Sequence, residues 1–197
     1  MVTMARAQAH TLEAIAAAMI LVSSLVFALQ VTAVTPLTGS TSSQHIENQQ
    51  AAVAEGLLAT ADANDTLRPT LLYWNESDEN WHGATDDGYV QGPPPTAFGA
   101  VLDDALSNRG IAFDLTVYYV DEEGDRRRLP IVDLGEPSDH ASTARRLVTL
   151  TDDDRLRAAD GTRTDDTLGN SSYFVGDADP EQNLYAVVEV ELVVWRI

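Results

Sequence analysis

From Ala14 to Val34 the chain reads AIAAAMILVSSLVFALQVTAV: 21 residues with no charge, one Gln and three hydroxylated side chains. As a helix this stretch is about 31 Å long, enough to cross the hydrocarbon core of a bilayer. Pro36 and Gly39 follow, and either can end or bend a helix. The run fits three fates. As a cleaved secretory signal it offers small residues at Val31-Thr32-Ala33, although it exceeds the usual 7–15 apolar residues. It also fits an uncleaved membrane anchor. The third fate depends on the residues just ahead of it.

Charge divides the chain at the same place. Residues 1–35 hold one acid, Glu13, and one base, Arg6; the other 162 residues hold 30 acids and 11 bases, all Arg. The net charge of −19 therefore sits entirely on the body. That balance excludes a nucleic-acid partner, because phosphates need a basic surface, and an electrostatic hold on anionic lipid heads. An acid-rich, Lys-free surface is expected of a salt-adapted protein, whose hydration and solubility survive strong screening. With no Cys, disulfides, thiolate metal sites and a Cys nucleophile are excluded.

The residues before the apolar run are Arg6-Ala7-Gln8-Ala9-His10-Thr11-Leu12-Glu13. A short basic leader, a small residue, and a polar stretch with Thr-Leu-Glu directly ahead of the apolar helix resemble the class III signal of type IV pilins. The opening RAQAHTLEAIAAAMILVSSLVFALQ is similar to the pilin-like proteins of halophilic archaea. The resemblance is close over the first 35 residues and one of layout beyond. It implies cleavage by a prepilin peptidase between Ala7 and Gln8, with Arg6, Ala7 and Gln8 as processing residues. It also implies a helix retained for assembly with other pilin-like subunits, and Glu13 as an assembly residue. Bacterial pilins carry their glutamate five residues into the mature chain; Glu13 is sixth if the cut follows Ala7 and fourth if it follows Ala9. A lone carboxylate at a membrane edge is costly unless paired. The amine of a neighbouring subunit would pair with it, and a place in the headgroup layer would solvate it.

Arg6 and the amine favour the cytoplasmic side, which puts the acidic body outside the cell. Three N-x-S/T sequons agree, with Asn64, Asn75 and Asn170 as glycosylation candidates. With 7 Asn and 29 Ser plus Thr in the chain, chance supplies about one sequon.

In the body, Thr41 to Gln44 has the spacing of a capping box. Ile46, Val53, Leu57 and Ala61 then mark one face of a helix over about 42–62, with Gln49, Gln50 and Glu47 away from it. Leu71–Trp74 reads as a short strand, and 75–95 as a mobile Asp/Gly/Pro-rich loop with a short strand near Gly88–Gln91. Trp74, Trp81 and Tyr89 around that loop either contact a glycan or partner, or pin the loop to the core. Thr96 caps a helix carrying Phe98, Val101, Leu102, Ala105 and Leu106 on one side, ended by Gly110. Alternation from Ile111 to Tyr119 gives a strand, with Arg126–Leu134 as its hairpin partner. Arg145–Thr151 is a further strand, 152–181 acidic loop, and the C-terminal run a strand with Val188, Val190, Leu192 and Val194 inward and Glu189 and Glu191 outward.

The expected fold is α+β: an N-terminal transmembrane helix continuing into an amphipathic helix, packed on an antiparallel β-sheet in a pilin-like layout. The segments are a leader (1–7), a transmembrane and assembly helix (8–35) and an acidic extracellular head (36–197). No catalytic constellation is apparent. His10, His45, His82 and His140 are scattered, and Asp139-His140 between Ser138 and Ser142 lacks the GxSxG elbow of a hydrolase. Asp86-Asp87, Asp152-Asp153-Asp154 and Asp165-Asp166 lack the calcium-loop pattern. Arg126-Arg127-Arg128 is placed to neutralise Asp121–Asp125 across its turn. The expected role is structural, with the lipid bilayer, prepilin peptidase and other pilin-like subunits as partners and no cofactor. The alternative is a membrane-tethered extracellular binding domain that does not polymerise.

Overall fold

A computed structural model describes residues 2–196, with side chains over 13–30 and 44–196. The chain is α+β and falls into two units, 1–46 and 47–197. The first is helical throughout. Its helix, α1, runs Val2–Ala63 and so reaches into the second unit. Two expectations are corrected here. The helix continues past Pro36 and Gly39, and Thr41–Gln44 lie inside it, so no capping box starts a second helix. A proline removes one N–H from the ladder, and the remaining backbone hydrogen bonds carry the element past it.

The second unit, the head, is built on the last turns of α1. Their buried face is Gln50, Ala54, Leu58 and Ala61; Ile46 and Val53 are exposed. The apolar stripe expected from the sequence is therefore rotated by about one residue, and Gln50 lies on the buried side. Ala54, Leu58 and Ala61 belong to the same buried cluster as the strands, and Ala61 is common to the expected and the observed face. The helix ends in a Schellman turn: Thr66 N–H donates to Ala61 O at 2.8 Å, with Asp65 left-handed at φ 49°.

A short helix α2 (Leu67–Leu71) follows; of the strand expected over Leu71–Trp74, Leu71 closes this helix and only Trp74 is in a strand. Strands β1 (Trp74–Asn75) and β2 (Asn80–Trp81) pair in a small hairpin. Helix α3 (Ala97–Ala105) begins as expected, with Thr96 Oγ1 accepting the Gly99 N–H at 3.1 Å and Phe98 and Leu102 buried. The main sheet has four antiparallel strands in the order β4-β3-β8-β5: β3 is Ile111–Val120, β4 Arg126–Val132, β5 Ser142–Leu150 and β8 Ala186–Arg196. The C-terminal strand β8 thus lies between β3 and β5. The acidic segment after β5 is not all loop, because β6 (Arg155–Arg157) and β7 (Arg163–Thr167) form a second hairpin.

Alternation along the strands sorts the two sheet faces. Phe113, Leu115, Val117, Val188, Val190 and Leu192 are fully buried, in one cluster with Leu58, Leu71, Phe98 and Leu102 of the helices. The opposite face carries a polar network. Glu191, 8% exposed, is held by Arg145 Nε at 2.6 Å and by the Tyr118 hydroxyl at 3.0 Å. Arg126 reaches Glu189 at 2.6 Å and lies 4.2 Å over the Tyr118 ring. A buried carboxylate is tolerated when its oxygens are matched by charged donors in this way.

Candidate functional site

The feature that most demands an explanation is the apolar part of α1. From Glu13 to Gln30 it is long and apolar enough to cross a membrane. Every side chain over this interval is exposed, including nine large apolar ones from Ile15 to Leu29. At about 1.5–3 kcal/mol for each side chain removed from water, leaving them hydrated costs on the order of 15 kcal/mol. A bilayer or packed helices would remove that cost. The hydroxyl of Ser24 donates to Leu21 O at 2.9 Å, satisfied within the helix as a lipid environment requires. Ile15, Ala18, Met19, Val22 and Ser23 line one shallow apolar groove on this stretch of the helix.

Arg6, Ala7 and Gln8 fall within α1, and their side chains lie outside the described residues. Glu13 is exposed at the start of the apolar stretch. The three sequons are dispersed over the head. Asn64 is exposed just past α1. Asn75 is engaged: its Nδ2 donates to Asp78 Oδ2 at 2.5 Å and its Oδ1 accepts the Ser77 N–H at 3.1 Å. Asn170 donates to Thr167 Oγ1 at 3.1 Å.

The 75–95 segment is pinned to the core. Trp81 is 1% exposed and its Nε1 donates to Pro130 O at 3.0 Å. Tyr89 N–H donates to Ile131 O at 2.9 Å, and the Tyr89 hydroxyl bonds His82 O. Burial pushes the Tyr89 phenol well above its ordinary value. Trp74, Trp81 and Phe174 meet edge to face at 5.3–5.5 Å, adding to the area they bury. Of the two readings of these aromatics, pinning to the core is the one observed.

The residues scanned for chemistry separate in space. His140 Nδ1 lies 2.8 Å from Glu47 Oε1, and the Ser142 hydroxyl donates to Glu47 O at 2.9 Å. Both contacts tie the strand start to α1 and form no relay. Arg127 pairs with Asp121 at 2.5 Å as the sequence indicated, whereas Arg126 turns to the sheet face. Among the described residues no three His, Asp or Glu side chains converge in a metal-ligand arrangement. The sequence did not reveal the Glu191–Arg145–Tyr118 network, since its members lie on three strands; the outward Glu in a C-terminal Val-rich strand was its one visible signal.

No curated protein and no solved structure matches the chain. One family model does, and it covers residues 6–194, from Arg6 into the last strand. The chain is thus a member of DUF7288, a family of unknown function.

Proposed function

We propose that the chain is a type IV pilin-like structural subunit of a cell-surface filament or a related secretion or adhesion assembly. Prepilin peptidase removes residues 1–7, the apolar helix holds the subunit in the membrane until it is extracted, and the acidic head is presented outside the cell. The observation that carries the reading is a single helix whose first part is apolar and fully exposed and whose last part is built into an antiparallel α+β head. The last turns of that helix supply Ala54, Leu58 and Ala61 to the head core. The single family model spanning both parts adds support.

The test is the N-terminal peptide of the membrane-bound protein, measured by mass spectrometry in cells with and without prepilin peptidase. A start at Gln8 that disappears with the peptidase is the expected result. An intact Met1 leaves a tethered binding domain, and a start near Val34 a secreted one; either overturns the proposal.

A further inference from the structure

Four of the chain's twelve arginines line one recess of about 210 Å³ on the head: Arg68, Arg155, Arg157 and Arg163. Arg68 comes from α2, the others from the β6–β7 hairpin, where Arg157 stands directly opposite Arg163. The hairpin is docked by the Arg157 N–H, which donates to Leu72 O at 2.8 Å. Like charges facing each other across a strand pair are unfavourable. Neither Arg157 nor Arg163 offsets this with a side-chain hydrogen bond or ion pair among the described residues, while Arg155 has Asp165 at 3.1 Å and Arg68 has Asp154 at 3.7 Å.

Among the described residues Arg68, Arg126, Arg127, Arg145, Arg146 and Arg155 have a carboxylate partner, and Arg109, Arg128, Arg157, Arg163 and Arg196 have none. Of those without one, Arg157 and Arg163 are the pair that face each other across a strand ladder. Asp65 and Asp153 also border the recess, yet neither lies within ion-pair distance of them. The Nε atoms of Arg68 and Arg157 are buried with no acceptor, and a buried donor left unpaired is costly. Burial and the charge of Arg163 lower the pKa of Arg157, with the more weakly acting charge of Asp65 raising it in part.

We infer that this recess is an anion-binding site, taking an oxyanion at Arg157 and Arg163 with Arg68 and Arg155 adding positive charge around it. Guanidinium forks match the geometry of sulfate, phosphate and carboxylate. The surrounding net charge of −19 opposes long-range capture of anions, so recognition rests on this local field. Free inorganic sulfate and the carboxylate of an acidic sugar offer the same chemistry. The inference stands independently of filament assembly.

The test is calorimetric titration of the full chain in detergent micelles, at constant ionic strength in sodium chloride, with sodium sulfate, sodium glucuronate and neutral glucose. Saturable binding of at least one anion and none of glucose is expected. Arg157→Gln and Arg163→Gln should each weaken it at least tenfold, and Arg126→Gln, on the sheet face, should leave it unchanged. Arg163 is exposed, so its variant tests the site without disturbing the fold, as circular dichroism would verify. Sulfate binding without glucuronate binding assigns the site to a free oxyanion; tighter glucuronate binding assigns it to an acidic sugar. Failure of both anions to saturate below about 10 mM, or equal weakening by Arg126→Gln, overturns the inference.

Discussion

Two glycine-to-alanine changes in helices should move stability in opposite directions. In an unstrained helix interior alanine is better than glycine by about 1 kcal/mol, so propensity alone favours both Gly56→Ala and Gly99→Ala. A Cβ on Gly56 in α1 meets nothing within 4 Å, and that variant should gain about 0.5–1 kcal/mol. A Cβ on Gly99 in α3 would overlap the Pro94 carbonyl oxygen and stand 3.0 Å from its carbonyl carbon. Pro94 is buried, and its carbonyl accepts the Thr96 N–H at 2.8 Å, so it has little freedom to retreat. The same Thr96 caps α3 through the Gly99 N–H. Overpacking costs about 1–3 kcal/mol and a weakened cap about 1 more. After the propensity gain the net loss is about 1–3 kcal/mol, lowering Tm by about 2–12 °C for a unit of this size. Tryptophan fluorescence suits the assay because Trp74, Trp81 and Trp195 all lie buried in the head. A Gly99→Ala protein that melts at or above the parent temperature would refute the reasoning.

Trp81→Phe removes the bond to Pro130 O and opens space beside Phe174. A loss of about 2–3 kcal/mol is expected by urea titration, and a change under 0.5 kcal/mol would show that the loop is not held there. Burial raises the Asp114 carboxyl from 3.8 to about 6, with the Leu134 N–H pulling it down and Asp133 pushing it up. A carboxyl with the higher pKa in the folded state binds its proton more tightly when folded. Its contribution is therefore complete below pH 3.8 and is lost as pH rises through about 6. Asp114→Asn keeps an acceptor for the Leu134 N–H, 2.9 Å away, and removes the charge. Discounted for solvent screening, it should stabilise the head by about 1 kcal/mol at pH 7.5 and not at pH 3.5; melting curves across that range that show no pH-dependent gain would contradict this.

Local pattern was legible wherever one element answers to its own residues. The apolar run, the Thr96 cap, the β3–β4 hairpin and the alternation of β8 all follow from periodicity and turn chemistry, because each is set within a dozen positions. Long-range partners decided the rest. The buried stripe on α1 runs through Ala54 and Leu58 in place of Ile46 and Val53, a choice set by what packs against the helix and not by its periodicity. The 75–95 segment reads as loose by composition, yet Trp81 and Tyr89 bond the backbone of β4 from some forty residues away.

The arginine recess shows the same limit. Its residues stand singly in the sequence, and only the packing of the β6–β7 hairpin against α2 gathers them, while the visible triplet 126–128 is dispersed by strand alternation and the turn. By itself the sequence determined that a long apolar helix precedes an acidic, largely antiparallel domain, since hydrophobic length and charge are properties of composition along the chain. Tertiary structure alone decided which side chains meet, because β8 enters between β3 and β5 and every cross-strand partner on both faces of the sheet depends on that placement.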